Sequence, residues 1–116
     1  MTQHVRIRWN PQAAENRAHA GAARGVRLAV EHLLQVSRPR VPIEEGTLER
    51  SGVATVDESS LTGAVAYDTP YAVRQHEDMT LRHDAGRGPK YLEQPLGEEA
   101  ATMQQIIAAQ VRRALQ

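Results

Sequence analysis

A single long helix is the feature of this sequence that most constrains its fold. Asn10-Pro11 predicts where the helix starts, because asparagine caps the first free amides and proline at the first helical position loses no useful N–H. Arg38-Pro39 predicts where it ends, since the residue before a proline avoids the helical region. A helix over residues 11–36 is a rod about 39 Å long at about 1.5 Å per residue.

One face of this helix is predicted to be apolar. Alanine and larger aliphatic residues recur there every three or four positions, at Ala18, Ala22, Val26, Ala29 or Val30, and Leu33. Gly21 and Gly25 lie in the alanine-rich half of the helix, where the lack of a Cβ lets another backbone approach closely. We expect this face to pack on the protein's own sheet.

The segment before the helix alternates apolar and polar residues. Val5, Ile7 and Trp9 share one face of residues 4–9. A period of two over six residues predicts a strand with one buried face.

A β-hairpin is predicted after the helix. Its strands cover residues 52–56 and 61–68, and the polar residues 57–60 join them. One face of the second strand carries Leu61, Gly63, Val65 and Tyr67. These alternating residues indicate which side of the hairpin is buried.

The stretch from Tyr67 to Glu93 holds all three tyrosines and two of the five histidines. The second hairpin strand is predicted to end at Tyr67, and a short helix is predicted over residues 70–78, opened by a proline. Residues 79–89 mix charges with glycines and show no apolar periodicity, so we expect a mobile loop that a neighbouring subunit orders.

A last helix is predicted from Gly97 to Arg113. Glu98 and Glu99 place negative charge at its positive end, and arginines close its negative end. Its apolar stripe consists of Ala100, Met103, Ile107, Val111 and Ala114.

The predicted order is strand, long helix, hairpin, short helix, loop and helix. This order indicates an α+β fold in a single domain over residues 1–116: a small, mainly antiparallel sheet packed against two longer helices, with a short helix and a mobile loop. The core must be thin and aliphatic, because aromatic residues make up only 3% of the chain and phenylalanine is absent. We therefore expect oligomerisation to add stability.

Composition also limits the classes of function. Without cysteine, the chain forms neither a disulfide nor a thiolate metal site. No apolar run approaches the roughly 20 residues of a membrane helix, and the N-terminus lacks a signal-peptide pattern, so we expect a soluble protein made in a cytoplasm. A net charge of zero and a single tryptophan argue against direct nucleic-acid binding.

Charge is divided unevenly along the chain. Residues 1–40 carry seven arginines against two glutamates, a balance of +5. Residues 41–68 carry one arginine against six acids, including Glu44 and Glu45, a balance of −5. Opposite charges on separate surfaces favour head-to-tail association between copies, and the alternative is that both surfaces only face solvent.

Two clusters in the second half of the chain resemble chemical sites. Histidines and carboxylates at 76–84 are potential metal ligands, and a metal-dependent enzyme centred on His76 and His83 is the alternative function. Their spacing lacks the i, i+4 pair that places two imidazoles on one helix face. Residues 86–90 lack the serine or threonine that follows the lysine of a nucleotide-binding loop. We expect no catalytic residue, no metal and no cofactor.

Three groups of residues, in order, resemble the minor capsid and tail-completion proteins of long-tailed bacteriophages. They are Val41-Pro42 with Gly46-x-Leu48-x-x-Ser51, Thr69-Pro70-Tyr71-Ala72 with His76-Glu77, and Gly86 with Lys90-Tyr91-Leu92-Glu93. The likeness covers residues 41–96, and the two long helices agree with the family in length and position.

The resemblance implies a small structural α+β protein of the virion, made in the bacterial host. It implies a ring, hexameric in the family, at the neck between the head connector or stopper and the tail tube, with DNA passing through the lumen. The resemblance leaves three roles open: tail completion, tail termination and a head-side stopper. The residues expected at interfaces are Glu44, Glu45, Tyr71, His76, Arg82, His83, Arg87 and Lys90.

Overall fold

The computed structural model describes residues 3–41, 50–67 and 91–116. The first range contains helix α1 (Pro11–Ser37) and a 3₁₀ turn (Arg38–Arg40). The second contains strands β1 (Gly52–Asp57) and β2 (Thr62–Tyr67). The third contains the short helix α2 (Glu93–Glu98) and helix α3 (Ala100–Ala114). The predicted α+β class is confirmed: an antiparallel pair of strands is combined with two longer helices and a short one.

Helix α1 starts as its N-terminal signal predicts and ends at Ser37, although Arg38 before the proline keeps a helical conformation and opens the 3₁₀ turn. The backbone N–H of Ala13 donates to the side-chain oxygen of Asn10 over 3.1 Å, and Pro11 is the first helical residue. Towards its C-terminal end the helix buries Ala29, Val30, Leu33 and Leu34.

The hairpin is also confirmed, with bounds one residue from those predicted. Gly52 pairs with Tyr67 and Asp57 with Thr62 in antiparallel register. Gly63 and Val65 are half-buried and Tyr67 is buried, whereas the residues between them are exposed. Leu61 belongs to the turn instead, at φ 55°, a left-handed conformation that leucine rarely adopts.

A small core lies where α1 meets the open end of the hairpin. It consists of Leu34, Val41, Tyr67 and Tyr91. The rings of Tyr67 and Tyr91 meet edge to face, with centroids 5.1 Å apart. The hydroxyls of Tyr67 and fully buried Ser37 are hydrogen-bonded at 2.5 Å.

Helix α3 packs closely on α1 because two glycines of α1 leave room for the backbone of α3. A Cβ built on Gly25 would lie 2.6 Å from the Cα of Ile107, and one on Gly21 would lie 2.7 Å from the Cβ of Ala114. The predicted close backbone approach is therefore confirmed. The expected partner is wrong, since these glycines face α3 and not the sheet.

The predicted strand over residues 4–9 is wrong. These residues have no regular structure, and Val5, Ile7 and Trp9 are 90%, 86% and 74% exposed. A strand with one buried face requires both a pairing edge and a core to cover. Helix α1 begins immediately after this segment and carries it beyond the end of the hairpin.

The start of the last helix also differs from the prediction. Gly97 belongs to α2, and a break at Glu99 separates α2 from α3. The predicted stripe is half-buried from Met103 to Ala114, but Ala100 is exposed. Within the described ranges, no helix has the length and apolar character needed to cross a bilayer.

Candidate functional site

An open apolar groove of about 890 Å³ lies on the surface of the described part of the chain. Its floor is α1, one wall is β2 with the hairpin turn, and the other wall is α2 with α3. Its lining consists of Val26, Ala29, Val30, Leu33, Leu61, Gly63, Ala64, Val65, Leu92, Glu93, Leu96, Ala100, Met103, Gln104 and Ile107.

Small residues on α1 and β2 produce this groove by letting both walls sit close to α1. A Cβ on Gly63 would lie 2.8 Å from Val26 Cγ1 and still closer to Val30, so the hairpin rests directly on the helix. Gly25 does the same for α3 on the adjoining face of α1. The walls are thus held against the floor, and the space between them stays open.

An arginine–carboxylate ion pair and a histidine–carboxylate hydrogen bond hold the second wall in place. Arg40 donates two hydrogen bonds to the carboxylate of Glu98, at 3.1 and 2.6 Å. His32 Nε2 lies 2.5 Å from Glu99 Oε1. The bond from Arg40 lowers the pKa of Glu98, and the same bond raises the pKa of Arg40. These pairs tie the α2–α3 junction to the C-terminal end of α1.

The described residues that border the two undescribed ranges meet in the small core. Val41 precedes residues 42–49, and Tyr67 and Tyr91 bound residues 68–90. Every residue predicted for an interface or a metal lies in those ranges, outside the described residues: Glu44, Glu45, Tyr71, His76, Arg82, His83, Arg87 and Lys90. The short helix over 70–78 and the loop over 79–89 also lie there.

The chemistry of the groove suits binding of an apolar segment. Its polar side chains are Glu93 and Gln104, and the other lining residues are aliphatic, glycine or methionine. Among residues 3–41, 50–67 and 91–116, no three histidines or carboxylates gather where they would hold a metal ion.

Sequence reasoning missed this groove, although one signal for it was present. Leu92, the N-cap of α2, and Leu96 within α2 are an i, i+4 pair, a spacing that places two leucines on the same side. Leu96 is 54% exposed, and a large apolar side chain left in solvent beside other apolar residues is typical of a docking surface.

Comparison of the chain with protein-family models, with curated proteins and with solved structures gives no match.

Proposed function

We propose that this protein is a structural subunit of a tailed-phage virion that assembles into a ring at the neck and joins the head connector to the tail tube. It acts by association and carries no catalytic site. The ring forms around the path of the DNA and contacts connector or stopper and tail-tube proteins.

The observation that carries the self-association part is the extended form of the chain. Its radius of gyration is 20.1 Å and its extents are 81 × 23 × 18 Å. A compact domain of 116 residues has a radius of gyration of about 13 Å. A thin molecule with an open apolar groove leaves much apolar surface in water, and association with further copies removes it.

The neck role is supported by the resemblance over residues 41–96 and by the division of charge. A basic first segment and an acidic second segment are complementary between neighbouring copies. Glu44 and Glu45 lie in the acidic segment. Reversing both to arginine should slow assembly most strongly at low salt, because exposed charges are screened within about 8 Å at physiological ionic strength.

Native mass spectrometry and electron microscopy of the purified protein test the ring. We expect a closed particle with one defined number of copies. A monomer at all concentrations, or an open filament, would contradict the proposal.

A deletion of the gene in a producing phage tests the neck role. We expect unattached heads and tails to accumulate, and a plasmid copy of the wild-type gene to restore joined particles. Normally joined particles without the protein would refute the neck role and leave the self-association result unaffected.

A further inference from the structure

The exposed arm of residues 3–10 has the pattern of a strand without a sheet. Val5, Ile7 and Trp9 alternate with polar residues, and all three side chains lie in solvent. Contiguous exposed apolar side chains mark a surface that another chain covers. We propose that this arm adds as a strand to the edge of β2 that faces away from β1 in a second copy of the chain and inserts its apolar side chains into that copy's groove.

The groove lies beside the edge of β2 that β1 leaves unpaired among the described residues. An extended segment added to such an edge continues the backbone hydrogen-bond ladder. Gly63 and Val65 point from β2 towards α1, so every second residue of an added strand points into the groove as well. Val5, Ile7 and Trp9 then enter the groove, and Arg6 and Arg8 face solvent.

The arm and the groove agree in length. Val5 and Trp9 are about 13 Å apart in a strand, at about 3.3 Å per residue. The floor from Val26 to Leu33 is about 11 Å long, at about 1.5 Å per residue of helix.

The arm does not reach the groove of its own chain. Val26, the groove residue of α1 nearest to the arm, lies about 24 Å along the helix axis from Asn10, at about 1.5 Å per residue. Val5 lies at most about 18 Å from Asn10 with the chain fully extended. An arm that inserts all three apolar side chains into a groove therefore belongs to another copy.

This inference rests on the self-association part of the proposed function and names the contact that links the copies. An arm that enters the groove of the next copy makes a heterologous contact. Such contacts close into a ring when the rotation between neighbours divides a full turn.

Trp9 provides a direct test, because it is the only tryptophan and lies in the arm. We expect its emission to shift to shorter wavelength as rising protein concentration drives association. Ile7→Ser should raise the dissociation constant for self-association, measured by analytical ultracentrifugation, by roughly 10- to 100-fold. This is the effect expected when the burial of one isoleucine side chain is lost.

Two leucines provide a matched pair of groove variants. Leu96 lines the groove and is 54% exposed, whereas Leu115 is 48% exposed and lies outside the lining. Leu96→Glu should abolish the emission shift at concentrations where the wild type associates. Leu115→Glu should preserve it.

Disulfide trapping tests whether the arm lies at the edge of β2. Because the natural sequence has no cysteine, only the introduced cysteines can form a disulfide. Arg6→Cys or Arg8→Cys, mixed with Ala64→Cys on the exposed face of β2, should give a disulfide between different chains, identified by peptide mass spectrometry. Thr55→Cys is the control, because Thr55 pairs with Ala64 from β1 and lies one strand further away, about 4.8 Å.

Each alternative result has a distinct meaning. Constant emission from Trp9 in an associated protein would overturn the arm contact and leave the ring standing. A chain that stays monomeric would overturn both. A disulfide to Thr55 without one to Ala64 would show that the arm uses the other edge. If Leu96→Glu lowers the melting temperature and leaves association unchanged, the chain's own residues cover the groove and the proposal fails.

Discussion

Replacing Gly25 with alanine is the sharpest test of how α1 and α3 pack. In a solvent-exposed helix interior this change stabilises by about 1 kcal/mol, because alanine loses less backbone entropy on folding. Here the new Cβ would lie 2.6 Å from the Cα of Ile107. Carbon atoms in contact are separated by about 3.5–4.0 Å, so about 1 Å is missing.

The clash is with the backbone, so no side-chain rotation relieves it. The two helices must separate, and overpacking of this kind costs about 1–3 kcal/mol. After subtraction of the helix-propensity gain, we expect Gly25→Ala to lower the free energy of unfolding by about 1 kcal/mol. For a chain of this size that corresponds to a fall in melting temperature of about 5 °C.

Gly97→Ala is the matched control, because a Cβ on Gly97 in α2 meets nothing within 4 Å. It should raise the melting temperature by a few degrees, through the gain of up to about 1 kcal/mol from helix propensity. Both variants are compared with the wild type by circular dichroism at one fixed, low protein concentration, because association shifts apparent stability. If Gly25→Ala is as stabilising as Gly97→Ala, the close helix packing described here is incorrect.

Three further changes have defined outcomes. Tyr67→Phe removes the hydrogen bond to buried Ser37 and should lower the free energy of unfolding, measured in urea, by about 1 kcal/mol. The double mutant with Ser37→Ala should then lose less stability than the sum of the two single changes. Leu61→Gly relieves a left-handed backbone but removes a partly covered leucine side chain, so the monomer's free energy of unfolding should change by less than about 1 kcal/mol, whereas self-association should weaken because Leu61 lines the groove. Hydrogen bonds from Ser59 lower the pKa of Asp57 below its ordinary 3.8, so its contribution is present above that value and is lost as the pH falls through the lowered pKa. Melting temperatures of the wild type should therefore fall more than those of Asp57→Asn between pH 5 and pH 2, and equal falls would contradict this.

The local elements of this protein were determined by the sequence alone. Asn10-Pro11 fixes the start of α1 through one side-chain hydrogen bond and one preset dihedral angle, both within a single turn. The alternation up to Tyr67 likewise determines the buried face of β2, because adjacent side chains in a strand point in opposite directions. Such signals act over a few residues and are therefore visible in a short window.

The relation between these elements was decided by the tertiary structure. Gly25 faces Ile107 and Gly63 faces Val26, and no pattern in the sequence indicates which distant residue fills the space that a glycine leaves. The segment with Val5, Ile7 and Trp9 has a correct strand pattern and still forms no strand, because alternation marks a face that could be buried and does not supply the neighbouring strand that pairing requires. The groove exists for the same reason: two walls each pack against α1, and the distance between them follows from the packing of residues far apart in the chain.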